Sequence, residues 1–129
     1  MYCELGCALP ESKEYLGPDI TDRDCILVEN IIDTAKSIID TAEFLKNKGA
    51  SRIIVSAVHG VFTGDAGQRI KKSHIENIIV TNSYSDQESS NEKVIHISIA
   101  KVIAKVIAKL HFKQSLDEFR ANKQFNHTP

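Results

Sequence analysis

Short apolar runs recur along the chain and are separated by segments with helical periodicity. The run at residues 25–28 is apolar without alternation, which predicts a strand covered on both faces, as in parallel sheets. Runs at residues 52–58, 77–81 and 94–97 have the same character and predict three further strands. Residues 1–24 mix glycine, proline and charge without any period, so they are predicted to form an irregular lead-in.

Three segments have the spacing of helices. The first follows Ser37 and is predicted to end at Gly49, which can act as a C-terminal cap. A short second helix is predicted at residues 66–72. In the third, aliphatic residues fall at i, i+3, i+4, i+7, i+8 and i+11: Ile99, Val102, Ile103, Val106, Ile107 and Leu110. Lysines at 101, 105 and 109 line its other face, which predicts a helix packed on a sheet; a helix lying on a membrane surface is the alternative.

Strand, helix and strand joined by tight connections predict βαβ units with right-handed crossovers, and therefore an α/β fold. In such sheets ligands bind outside the carboxyl ends of the strands. The groups at those ends are Glu29-Asn30, His59-Gly60, Thr81-Asn82-Ser83 and Ser98. The polar segment at residues 83–93 is predicted to be a solvent loop, and residues 120–129 a frayed tail.

Composition narrows the class of protein. A chain of 129 residues, 42% hydrophobic and 26% charged, predicts one ordinary globular domain. The net charge of −1 gives no field that would attract nucleic acid or an acidic membrane. No apolar run approaches the ~18 residues needed to span a bilayer, and no secretory signal is recognisable. Cys3, Cys7 and Cys25 form no C-x-x-C pair, so we expect reduced thiols in a cytoplasmic setting.

The sharpest candidate for binding is the stretch Asp33-Thr34-Ala35-Lys36-Ser37, hereafter the 33–37 loop, between the first strand and the first helix. A helix N-terminus presents unpaired N–H groups and a partial positive charge, which favour an anion. Thr34 and Ser37 can each donate a hydroxyl to a phosphate oxygen. The alternative is that one of these two side chains merely caps the helix.

On these residues the chain resembles the ribose-phosphate diphosphokinases, also called phosphoribosyl pyrophosphate synthetases. The motif is Cys-Ile-Leu-Val-Glu-Asn-Ile-Ile-Asp-Thr-Ala-Lys-Ser at residues 25–37. His-Gly-Val-Phe-Thr-Gly at 59–64, Ile-Ile-Val-Thr-Asn at 78–82 and the segment 115–119 follow in the family's order. The resemblance implies a C-terminal type I phosphoribosyltransferase-like domain at residues 25–119. Its fold would be a three-layer α/β arrangement with a mainly parallel sheet flanked by helices, truncated at the N-terminal side.

The resemblance also implies which residues bind ligand. Glu29 and Asn30 stand where the family has two aspartates that bind the ribose hydroxyls and help to hold magnesium, so Glu29 is the candidate Mg²⁺ ligand. Asp33, Thr34, Ala35, Lys36 and Ser37 correspond to the family loop Asp-Thr-Ala-Gly-Thr, which binds ribose 5-phosphate. The family glycine replaced by Lys36 lets the backbone approach phosphate and can require a positive φ. Lys36 therefore either adds a cationic contact or obstructs the loop.

Outside the loop the resemblance places His59 at the periphery of the site, although a structural histidine is an alternative interpretation. Ser115 and Phe119 fall where the family forms a regulatory site for a nucleotide or phosphate between subunits.

The implied activity is transfer of the diphosphoryl group of Mg-ATP to ribose 5-phosphate, giving phosphoribosyl pyrophosphate and AMP for nucleotide biosynthesis. The family's ATP-binding elements have no counterpart in this chain, so it is expected to be an incomplete relative, inactive alone and associated as a homo-oligomer or with full-length synthetase subunits. A non-catalytic, synthetase-associated regulatory subunit is the alternative. A domain of the response-regulator kind would require an acidic cluster that the strand ends do not supply.

Overall fold

In the computed structural model, which describes residues 3–6, 17–84 and 91–117, five parallel strands form one sheet. The strands are β1 (Cys3–Gly6), β2 (Cys25–Ile32), β3 (Ile53–Gly60), β4 (Asn77–Thr81) and β5 (Val94–Ile97). The helices are α1 (Lys36–Asn47), α2 (Ala66–Lys72) and α3 (Ala100–His111). Strand order across the sheet is the same as along the chain, and every neighbouring pair is parallel. The predicted α/β fold with a parallel sheet is confirmed.

One face of the sheet is packed against α1 and α2. Sequential strand order with right-handed crossovers places successive connecting helices on the same face. The helices bury their small and aliphatic residues there, namely Ile38, Ala42 and Leu45 of α1 and Ala66 and Ile70 of α2. They share one apolar core with Leu27, Val55, Ile78 and Val80 of the strands. This core holds the strand ends and the loops that follow them in fixed positions.

The opposite face of the sheet is partly open to solvent. Val28, Val58 and Ile95 are 42, 45 and 45% exposed, and Ile97 is 52% exposed. The expectation that the first strand is covered on both faces stays a prediction at Val28. A uniform apolar run shows that both faces of a strand are apolar, but it does not identify a second covering layer.

The lead-in and the first predicted strand both need correction. Residues Cys3–Gly6 form β1, which pairs with β2 in the register Cys3↔Cys25. A four-residue strand interrupted by a glutamate is too short to give a period, so the sequence suggested irregular structure. β2 runs on to Ile32 because its ladder with β3 continues to Ile32↔Gly60. The polar pair Glu29-Asn30 thus lies within β2 and not after it.

The remaining elements agree with the sequence. α2, β4 and β5 have the predicted bounds, β3 ends two residues later than predicted, and α1 begins at Lys36. Gly49 follows α1 at a φ of +89°, and its N–H donates to the carbonyl of Lys46, as expected of a capping glycine. The middle of the predicted 83–93 loop and the 120–129 tail lie outside the described residues. At the end of that loop Asn91 is buried, and its amide donates to the carbonyl of Gly67.

Residues from Ser98 onward form a second compact unit. The Ser98 hydroxyl accepts the N–H of Ala100 at the start of α3. None of the α3 residues is buried, and the exposed fractions of Val102, Ile103, Ile107 and Leu110 are between 47 and 61%. The expectation that this aliphatic face packs on a sheet stays a prediction. Within the described residues, no helix has the length and apolarity required to cross a bilayer.

Candidate functional site

The segments that follow β2 and β3 are joined by hydrogen bonds. The N–H groups of Val61 and Phe62 donate to the carbonyl of Ile32 at 2.8 and 3.3 Å. One residue further on, the N–H of Thr63 donates to the carbonyl of Asp33 at 3.1 Å, and its hydroxyl donates to the Asp33 carboxylate at 2.5 Å. Thr63 therefore holds the first residue of the 33–37 loop by both backbone and side chain. Sequence reasoning quoted Thr63 only as part of a motif and missed this role.

The 33–37 loop turns into α1 through a left-handed residue. Ala35 has φ 61° and ψ 6°, is buried, and accepts the N–H of Ile39 at its carbonyl. No side chain caps the helix, so the alternative that Thr34 or Ser37 is simply a cap is wrong. The positive φ falls on Ala35 and not on Lys36, the first helical residue, so a lysine is tolerated where the family has glycine.

The backbone amides of this turn are available to a ligand. Within the described residues, the N–H groups of residues 34–38 have no hydrogen-bond acceptor in the protein. A left-handed residue followed by helical residues directs successive N–H groups into one concavity, which binds anions. The helix dipole of α1 adds a partial positive charge. The side chains of Thr34, Lys36 and Ser37 are exposed on the same turn and supply two hydroxyls and one cation.

Glu29 and Asn30 lie away from the loop, within β2. Successive side chains of a strand point to opposite faces, so these two are not side by side. Glu29 is half-buried in register with Ala57, whereas Asn30 is exposed. Among the described residues, no group of three or more His, Cys, Asp or Glu side chains converges on a point. The described part of the chain therefore builds no complete metal site from its own side chains, and Glu29 offers a single carboxylate.

At the end of β3 the side chain of His59 is held by the end of β4. Its Nδ1 lies 2.6 Å from the hydroxyl of Ser83, which in turn lies 2.8 Å from the hydroxyl of Thr81. His59 also forms an isolated bridge with Asn82. The sequence placed all of these residues at strand ends but could not show that His59 contacts the others, because more than twenty positions separate it from them.

The predicted regulatory residues are only partly described. Ser115 is exposed in the second unit, where its hydroxyl donates to the Asp117 carboxylate and accepts the Asp117 N–H at 3.0 Å. This contact is a local turn. Phe119 lies outside the described residues, so the predicted regulatory site at Ser115 and Phe119 stays a prediction.

A parallel α/β sheet and a strand–loop–helix with unbonded amides at a strand end are features that many phosphate-binding α/β proteins share. The model of the phosphoribosyl synthetase-associated domain matches residues 10–120, and the chain belongs to that family. The predicted relationship to the ribose-phosphate diphosphokinases, also named pyrophosphokinases, is confirmed at the level of the family. The assignment to a C-terminal domain stays a prediction.

Individual relatives agree with this assignment. The chain is 40% identical over 118 residues to the ribose-phosphate pyrophosphokinase of Aquifex aeolicus, covering 83% of this chain and 38% of the relative. It is 35% identical over 100 residues to that of Vibrio parahaemolyticus, covering 76% and 32%. The crystal structure of phosphoribosylpyrophosphate synthetase from Mycobacterium smegmatis matches with a TM-score of 0.69 at 28% identity, covering 75% of this chain and 33% of that one. The chain thus spans about a third of the length of these relatives.

Proposed function

We propose that this chain is the ribose 5-phosphate-binding part of a ribose-phosphate pyrophosphokinase, corresponding to the C-terminal phosphoribosyltransferase-like domain. The observation that carries the proposal is the 33–37 loop, whose amides from residue 34 to residue 38 have no acceptor within the described residues. Two neighbouring features support it. Thr63 fixes Asp33, and Ala35 adopts the left-handed conformation that a concave turn requires.

In the proposed complex the 5-phosphate accepts hydrogen bonds from the loop amides and from the hydroxyls of Thr34 and Ser37. Such charge-assisted hydrogen bonds are roughly twice as strong as neutral ones. Lys36 is exposed at the start of α1 and adds a cationic contact. Because its φ is not positive, it does not force the turn out of shape. The ribose hydroxyls then extend back along β2, where Glu29 and Asn30, on opposite faces of the strand, are alternative candidate acceptors.

The proposed reaction of the complete enzyme is transfer of the β,γ-diphosphoryl group of ATP to the 1-hydroxyl of ribose 5-phosphate. Catalysis of such a transfer depends on positioning and on charge stabilisation around the transferred group. This chain supplies positioning of the acceptor sugar. Mg²⁺, when present, neutralises phosphate charge; in this proposal it arrives with the substrate phosphates, with Glu29 as the candidate protein carboxylate. Full-length synthetase subunits or further copies of the chain are the proposed partners.

Calorimetry with ribose 5-phosphate tests the binding site directly. The wild-type chain is expected to bind both ribose 5-phosphate and inorganic phosphate, with affinities that weaken as salt is added. Lys36→Ala removes one exposed cation next to the phosphate and should weaken binding by about fivefold, or about 1 kcal/mol. Lys71→Ala, an exposed lysine on α2, is the matched control and should have no effect. A folded wild-type chain that gives no heat with millimolar ribose 5-phosphate contradicts the proposal.

A second candidate function is supported by the departures from the family motif. Asn30 replaces an aspartate and Lys36 replaces a glycine, changes that suit a non-catalytic subunit which keeps phosphate binding but loses a carboxylate. Co-purification with an active ribose-phosphate pyrophosphokinase distinguishes the two functions. A regulatory subunit must change the activity of its partner, whereas a fragment of the enzyme need not.

A further inference from the structure

The ends of β3 and β4 carry a chain of polar groups that the proposed phosphate site does not use. The hydroxyl of Thr81 lies 2.6 Å from the carbonyl oxygen of Val58 and 2.8 Å from the hydroxyl of Ser83. The Ser83 hydroxyl lies 2.6 Å from Nδ1 of His59 and 3.3 Å from the same Val58 carbonyl. All three side chains are therefore joined in one network that starts at a backbone acceptor.

Counting hydrogens decides which tautomer the histidine adopts. Apart from the histidine, the network has three contacts, one from Thr81 to the Val58 carbonyl, one between Thr81 and Ser83, and a longer one from Ser83 to the Val58 carbonyl. Each contact needs one hydrogen, and the two hydroxyls together supply two. Both are thus consumed, and the contact between Ser83 and His59 must take its hydrogen from the ring. Nδ1 therefore carries the proton, and in the neutral ring Nε2 is an acceptor.

We propose that His59, fixed in this tautomer by Ser83 and Thr81, presents Nε2 as a hydrogen-bond acceptor for a hydroxyl group of the bound sugar phosphate. His59 is the ligand-contacting residue, and Ser83 and Thr81 are positioning residues. The identity of the ligand rests on the proposed function above, whereas the tautomer follows from the unliganded structure alone.

The position of His59 relative to the phosphate site supports this role. His59 is in register with Ile31 on β2, only two positions before Asp33. The segment that follows His59 donates hydrogen bonds to Ile32 and is held to Asp33 by Thr63. The histidine and the 33–37 loop therefore lie at the same end of adjacent strands, where parallel α/β sheets bind ligands.

The unused ring nitrogen distinguishes this role from a purely structural one. Within the described part of the chain, Nε2 of His59 has no hydrogen-bond partner. It is also not among the buried side-chain nitrogens without a partner, which belong to His96. A histidine serving only to tie β3 to β4 would need Nδ1 alone. An accessible acceptor at a strand end is instead suited to a donor group on a ligand, such as a ribose hydroxyl.

Nuclear magnetic resonance of the ring nitrogens tests the tautomer without any ligand. At a pH where the imidazole is neutral, the ¹⁵N–¹H correlations of His59 should show the proton on Nδ1. Ser83→Ala removes the partner of Nδ1 and should shift the proton toward Nε2. Ser51→Ala, an exposed serine elsewhere, is the matched control and should leave the spectrum of His59 unchanged. A proton on Nε2 in the wild-type chain overturns the proposal even if the variant does not fold.

Calorimetry then tests the contact with the sugar. His59→Phe should weaken ribose 5-phosphate binding by about three- to tenfold, the effect of one lost hydrogen bond, and leave inorganic phosphate binding unchanged. His74→Phe, at an exposed position, is the control for the substitution itself. Equal ribose 5-phosphate affinity in wild type and His59→Phe overturns this proposal and leaves the phosphate site standing. If the wild type binds neither ligand, the phosphate site and the sugar contact are refuted together.

Discussion

The contact between Thr63 and Asp33 gives a sharp prediction about how the 33–37 loop is held. Thr63→Val keeps the branched shape and the backbone hydrogen bond to Asp33, and it removes only the hydroxyl that donates to the carboxylate. A hydrogen bond to a charged group contributes about 1.5–3 kcal/mol. Both residues are exposed, so solvent reduces this to about 1 kcal/mol. For a domain of this size we expect the melting temperature to fall by about 4 °C.

The same substitution should also weaken ligand binding. If all of the lost free energy shifts the unliganded 33–37 loop from its closed to an open conformation, ribose 5-phosphate affinity falls by at most about fivefold. Urea unfolding followed by circular dichroism measures the stability, and calorimetry measures the affinity. Thr63→Ser retains the hydroxyl and is expected to bind like the wild type. Equal loss of affinity in Thr63→Ser and Thr63→Val, or no loss in either, would refute the role assigned to the hydroxyl.

Three further predictions concern the backbone and one ion pair. Gly49→Ala places a side chain at φ +89° and should destabilise the fold by about 1–2 kcal/mol. Gly67 lies in a helix with open space around it, so Gly67→Ala should stabilise the fold by about 0.5–1 kcal/mol. Both free energies of unfolding are measured in the same urea experiment. Ala35→Val places a branched side chain at φ 61° and should cost more than about 2 kcal/mol without changing the secondary structure seen by circular dichroism. A side-chain hydrogen bond from Arg52 holds the pKa of Asp24 below its ordinary value of 3.8. The stabilisation that this ion pair gives is therefore present above pH 3.8 and is lost as the pH falls and Asp24 is protonated. Arg52→Gln should accordingly make the free energy of unfolding less dependent on pH in the acid range.

Local signals in the sequence were sufficient for much of the fold. α2, β4 and β5 were bounded correctly because apolar runs, helical spacing and punctuating polar residues all lie within the elements themselves. The glycine after α1 was identified for the same reason. β1 was missed because a four-residue edge strand is defined by its pairing with β2 and not by its own pattern.

The candidate site was less accessible to sequence reasoning. The 33–37 loop was found because its hydroxyls and small residues are consecutive. The left-handed conformation of Ala35 has no signal in the sequence, since the family motif has its glycine at the position of Lys36. The contacts from Thr63 to Asp33 and from His59 to Ser83 join residues about twenty to thirty positions apart. Only the register of the parallel strands brings such pairs together.

The matching order of strands in the chain and in the sheet has a consequence for synthesis. Each strand pairs only with its immediate predecessor and successor, so a nascent chain leaving the ribosome can add one strand at a time to a growing sheet. None of the five described strands has to wait for a partner encoded far downstream. The 33–37 loop can therefore take shape as soon as β3 has emerged and docked beside β2.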